Sequence, residues 1–274
     1  MSAIVSIREL AGVALPTGAH DGVFVMIRAY FDDSGTHDNS AVTVMGGLIG
    51  SIPQWELFER RWAEKLANPL PGKPPLKAFH LSPCAARDGE FQGYSDAEAD
   101  AITYDFRQII IGADLIGTAS VVDKIAWDEL IVGPARNVLG EALRPCFVHC
   151  IDQAMLAARD AGDLKLAIVF DQGFRSSRLQ KIIDQYLRYV ANRSPAITLT
   201  ITFGPVNKIL PLQGADVVAT ENYWDAGRWL KDKESRPRAH MRHYLRNVRA
   251  QGLIMDREAI LAELQRRGPD GNLL

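Results

Sequence analysis

Three settings of aspartate stand out in this 274-residue chain. The stretch AYFDDSGTH (29–37) ends an apolar run in two adjacent acids, Asp32 and Asp33. LKLAIVFD (164–171) ends another apolar run in Asp171, and LQGADVVA sets Asp216 among small and apolar neighbours. A continuous apolar, β-branched and aromatic run is the pattern of a central strand. If two such strands are neighbours, acids at their tips face each other across roughly 5 Å. Carboxylates that close repel, and one takes up a proton unless a cation intervenes. Hard oxygen donors at strand tips suit Mg²⁺ or Mn²⁺. In a helix, Asp216 shares its face with Gln213, Ala219 and Thr220, where it either points at a cation or is expensive to bury. Each acid alone also has an ordinary role. Asp32 and Asp33 suit a turn before Gly35, Asp171 suits a cap, and Asp216 suits a solvated helix edge.

The elements that would carry these acids follow from periodicity. Strands are expected over 23–31, 41–50, 115–123, 164–171 and 196–204. Gly46 and Gly47 inside the second suggest a bulge or a close backbone approach. A helix is expected from Ser51, because Trp55, Phe58, Trp62 and Leu66 line one face. Ser95 and Glu98 form a capping box for another over 95–111. Further helices are expected over 141–161, 177–191, 211–230 and 256–267, with a proline-rich loop at 68–77 and an irregular stretch at 78–94. Strands alternate with helices in the second half, which favours a mixed α/β sheet covered by helices.

Composition restricts the function classes. Hydrophobic residues make up 47% and charged residues 23%, the balance of a globular protein in water, and no uncharged apolar run is long enough to span a membrane. Arg8 and Glu9 break the only apolar stretch near the N-terminus, so the expected location is cytoplasmic. Cys84, Cys146 and Cys150 form no CxxC pair and read as small core residues; zinc held with His80 or His149 fits no standard spacing. A net charge of −2 does not announce a nucleic-acid binder, yet a local basic strip can suffice. The densest basic run holds Arg228, Lys231, Lys233, Arg236, Arg238, Arg242, Arg246 and Arg249, and reads either as a phosphate-binding surface or as a solvated face. Arg175 and Arg178 flank Asp171, and Lys208 precedes the Asp216 helix; these too are candidate phosphate contacts.

YFDDSGTH, FHLSP, AIVFDQGF and LPLQGADVVATENYW, in that order, resemble the motifs of the DUF3800 family across residues 28–230. That family is RNase H-like. The resemblance implies a five-stranded mixed sheet, an antiparallel meander plus two parallel strands, flanked by helices with helical insertions. It divides the chain into an N-terminal extension (1–22), the RNase H-like domain (23–230) and a basic, helical C-terminal extension (231–274). It implies a nuclease that hydrolyses phosphodiester bonds of DNA or RNA with one or two Mg²⁺ or Mn²⁺ ions. Asp32, Asp171 and Asp216 match the family's acids, Asp33 stands where Glu is usual, and His80 matches its histidine. The helix glutamate of RNase H enzymes has no plain counterpart; Asp33, Glu141 and Glu221 are candidates, Asp33 first. That gap, with the near-neutral charge, leaves open a non-catalytic binding or scaffold module of a mobile-element or defence system.

Overall fold

The computed structural model describes residues 27–163, 165–174, 177–193 and 197–267. The expected N-terminal extension and residues 23–26 of the first expected strand lie outside them. Strands β1 (Ile27–Ser34), β2 (Val42–Ser51), β3 (Ile116–Asp123), β4 (Lys165–Asp171), β5 (Thr198–Gly204) and β6 (Ala250–Met255) form one sheet, ordered β5-β4-β1-β2-β3-β6. The first three pair antiparallel, β4 runs parallel to β1, and β5 runs parallel to β4. This is the mixed α/β, meander-plus-parallel arrangement that the RNase H-like resemblance implies. The hairpin between β1 and β2 turns at Gly35, whose φ of +73° lies in the left-handed region. A Cβ there would sit 2.2 Å from the Val42 carbonyl oxygen, so no larger residue fits this turn.

Ten helices among the described residues cover the two faces. One face carries α1 (Ile52–Ala67), α2 (Leu81–Ala86), α3 (Asp96–Gly112) and α8 (Leu210–Lys231), with α9 (Ala239–Asn247) beside them. Their aromatic core joins Tyr30, Trp55, Phe58, Trp62, Phe79 and Phe106, all fully buried. Burying each such ring stabilises the fold by about 1.5–3 kcal/mol. The i, i+3, i+7 spacing of Trp55, Phe58 and Trp62 puts these three on the sheet side of α1, as expected. Ser95 and Glu98 cap α3 reciprocally, at 2.7 and 3.3 Å. The other face carries α4 (Lys124–Leu130), α5 (Gly133–Leu139), α6 (Leu143–Asp160), α7 (Ser177–Arg193) and α10 (Arg257–Arg267), packed on Phe31, Met45, Val122 and Phe170. The three cysteines are free and buried, and burial pushes the Cys146 thiol up to about 12.

The C-terminal extension, expected to be helical, also supplies a strand. Ala250–Met255 adds β6 to the sheet, parallel to β3, so the sheet has six strands rather than five. The pairing arises from backbone hydrogen bonding at an open sheet edge; the strand itself is largely exposed and has little apolar patterning. Two short helices, α4 and α5, and the single turn and a half of α2 also fill stretches without helical periodicity. No helix among the described residues is long and apolar enough to cross a membrane.

Candidate functional site

Strand register decides which acids meet. Phe31 pairs with Phe170 across β1 and β4, so Asp32 and Asp171 are the next residues on adjacent strands. Side chains alternate along a strand. Tyr30 and Val169 belong to the α8 side and Phe31 and Phe170 to the α6 side, which turns Asp32 and Asp171 toward α8. On β2, Asp32 lies opposite Gly46. A Cβ on Gly46 would sit 2.6 Å from the Ala219 nitrogen of α8, so the bare glycine is what lets the helix rest on the strand. Of the two roles expected for this glycine, the close approach is the one found. Asp216 lies one turn before Ala219 and so descends to the same tip.

Each of these acids is held by backbone amides. Asp171 accepts from Val206 N (3.1 Å) and Gly173 N (2.8 Å), and Asp216 accepts from Leu81 N at 2.9 Å. Asp32 accepts from the amide of Asp33 at 2.9 Å. Every such oxygen keeps a second lone pair. Burial, then the carboxylates of Asp216, Asp33 and Asp171, raise the Asp32 carboxyl well above the usual range. No lysine or arginine among the described residues forms an ion pair with Asp32, Asp33, Asp171 or Asp216. His80 Nδ1 lies 4.0 Å from an Asp216 oxygen, and that carboxylate raises the imidazole above its ordinary value against the opposing effect of burial.

Asp33 belongs to the strand's other face. It follows Asp32 in a period-two element, and its Oδ2 accepts from Thr36 Oγ1 at 2.7 Å within the hairpin turn. Burial raises its carboxyl as well. The other two candidates for the missing helix acid are committed elsewhere. Glu141 is exposed on the α6 side and pairs with Arg136. Glu221 is 5% exposed and bound by Arg107 and by Arg238. Among the described residues no group of three or more His, Cys, Asp or Glu side chains stands within one ion's coordination shell as drawn.

The basic residues divide. Arg238, expected to contact nucleic acid, instead bonds Asp225 and Glu221 at 2.5 Å each and stacks over Trp224. Its partners are a buried acid, Glu221, and a half-buried one, Asp225, both on α8, which sequence spacing alone does not reveal. Arg242 is exposed and donates to the Pro237 carbonyl, and Arg236 lines a groove of about 520 Å³ between α8, α9, β3 and β6, on the sheet side away from β4. Lys208 sits in the turn after β5, two residues from the Val206 amide that holds Asp171. Arg175 lies outside the described residues, as does the side chain of Arg178. Arg107 on α3 was not among the expected functional residues, and the buried partners of Gln213 and Glu221 were not foreseen. Their signal was available: a lone polar or charged residue inside an apolar helical window requires a buried partner. Arg238→Met is expected to lower stability by about 1–3 kcal/mol by leaving Asp225 with only the 3.9 Å ion pair to Arg228 and Glu221 without one of its two arginines. Thermal melts would show this, with nucleic-acid affinity in filter binding unchanged.

No protein-family model and no curated protein matches the chain. Among solved structures it is similar to Bst-RNase HIII in complex with Mn²⁺, at 12% identity and a TM-score of 0.39, covering 80% of this chain and 63% of that one. It is also similar to a chain of the PCNA:RNase HII complex from Archaeoglobus fulgidus, at 11% identity and a TM-score of 0.37, covering 81% and 90%. The chain thus spans less than two thirds of the first of these.

Proposed function

We propose that this chain is a divalent-cation-dependent hydrolase of phosphodiester bonds in nucleic acid, and that Asp32, Asp171 and Asp216 hold the cation. The observation that carries this reading is a buried strand-tip carboxylate facing two more, with no lysine or arginine among the described residues paired with them and only His80 beside Asp216. The donor set fits: three hard-oxygen ligands from separate elements suit Mg²⁺ or Mn²⁺. Asp33, on the opposite face, is left to shape the turn and add negative charge. On the order and spacing of its four motifs, we read the chain as a member of the DUF3800 family.

A bound cation would supply Lewis-acid charge to a phosphate oxygen. The chain's own residues do the rest. Asp32, at the end of a buried strand, fixes where the negative charge concentrates. Asp171 and Asp216 are oriented by backbone amides and so would present their oxygens to the cation from set directions. His80 turns Nδ1 toward Asp216 and is 31% exposed, which lets the ring hold a proton at the edge of the site. Lys208, in the turn after β5 two residues from Val206, is the basic residue we assign to a flanking phosphate. Asp171→Asn and Asp216→Asn are each expected to lower Mn²⁺-dependent cleavage about a hundredfold or more, since each removes a ligand to an ion worth several kcal/mol. Gel assays on DNA, RNA and hybrid duplexes, with and without EDTA, test this; undiminished cleavage by both variants refutes the assignment. That no three acids among the described residues stand within one shell, together with the missing helix glutamate, keeps open a second reading, a non-catalytic nucleic-acid-binding module. No Mn²⁺ uptake in calorimetry at millimolar concentration would select it.

A further inference from the structure

Gln213 is completely buried one turn before Asp216, yet it touches no substrate surface. Its Oε1 accepts from Trp62 Nε1 and from the Phe79 amide, both at 2.9 Å. Its Nε2 donates to the Val206 carbonyl at 3.2 Å. Both partner backbones lead directly to the site. Val206 N donates to Asp171, and Leu81, two residues after Phe79, donates to Asp216. His80 lies between these two amides. We infer that Gln213 is a positioning residue: one buried amide ties the 79–81 segment and the 205–209 turn to α8, and so sets Asp171, His80 and Asp216 relative to one another.

The amide group suits this task for a chemical reason. A side-chain amide offers an acceptor and a donor on one rigid plane, so it can bind an N–H on one side and a C=O on the other. A carboxylate lacks the donor for Val206, and an apolar residue leaves two buried donors and one acceptor unpaired. The 205–209 turn runs directly into α8, with Leu212 N donating to the Ile209 carbonyl at 3.0 Å, whereas the 79–81 segment is distant in sequence and meets α8 through the Gln213 bridge and the Leu81–Asp216 bond.

The inference rests on the proposed role of Asp171 and Asp216, but its test needs neither cation nor substrate. In the cation-free wild-type protein, native-state hydrogen exchange at low denaturant is expected to give the Phe79, Leu81 and Val206 amides one shared opening, distinct from that of β1 and β2. In Gln213→Met, with near-native circular dichroism, these amides are expected to exchange about tenfold faster or more while β1 and β2 stay protected. Trp62→Phe removes one donor to the same amide without touching either arm, and is expected to leave Leu81 and Val206 slow. Separate openings in the wild type, or faster exchange spread evenly over the sheet in Gln213→Met, would overturn the inference. A wild type without nuclease activity but with the shared opening would refute the proposed function and leave this coupling intact.

Discussion

Asp32→Asn is expected to abolish cleavage and, in the absence of divalent cation, to raise the melting temperature. The two effects share one cause. Burial and three neighbouring carboxylates make the folded protein hold the Asp32 proton more tightly than the unfolded chain does. A group of this kind adds stability at low pH, where both states are protonated, and loses it as pH rises. The loss begins at the ordinary carboxylate value of 3.8 and continues until the raised folded value is passed. At neutral pH the ionised or strained Asp32 is therefore a net cost, and asparagine of the same shape removes it. Each kcal/mol recovered corresponds to roughly 2–4 °C in a chain of this size. The difference in melting temperature between variant and wild type is expected to widen from pH 4 to pH 8 in EDTA. Mn²⁺ is expected to close the gap by stabilising the wild type alone. Scanning calorimetry across this pH range decides the matter, and identical melting curves for the two proteins at every pH would sink the idea of an uncompensated acid at the strand tip.

The site was more legible in the sequence than its surroundings were. Asp32 and Asp171 end continuous apolar runs, and a fully buried parallel strand can carry an acid only at its tip. Asp216 stood out because small residues flank it, and those same residues bring α8 onto β2. Periodicity also bears on Asp33: two consecutive strand residues point to opposite faces, so Asp32 alone of the doubled acid shares the face of Asp171, although the Asp171 carboxylate acts on Asp33 too. The charge network was not legible. Arg238 has the same sequence surroundings whether it faces a phosphate or Glu221, and only the packing of α9 on α3 and α8 tells them apart. The strand β6 was invisible for another reason. Its order comes from hydrogen bonds to β3 and not from an apolar face, so neither hydrophobic alternation nor a long run marks it.

Gly46→Ala tests whether the fold delivers Asp216 to the site through one close contact. The added methyl would sit 2.6 Å from the Ala219 nitrogen and 2.7 Å from its Cα, both backbone atoms of a long helix that cannot swing aside locally. The helix must lift from β2 or the strand must bow. Overpacking of this kind costs about 1–3 kcal/mol. The displacement acts on α8 where Asp216 and Gln213 are fixed, so the ligand geometry opposite Asp32 is disturbed along with the packing. Gly46→Ala is therefore expected to lower the melting temperature by several degrees and to weaken Mn²⁺ affinity about tenfold or more. Ala219→Gly supplies the counter-test. It removes a side chain but not the clashing backbone, so combined with Gly46→Ala it is expected not to restore affinity. Calorimetric titration of Mn²⁺ into each folded variant reads the outcome. A destabilised Gly46→Ala protein that binds Mn²⁺ as tightly as wild type would mean that α8 does not set the geometry of the site, and that Asp216 is not a ligand.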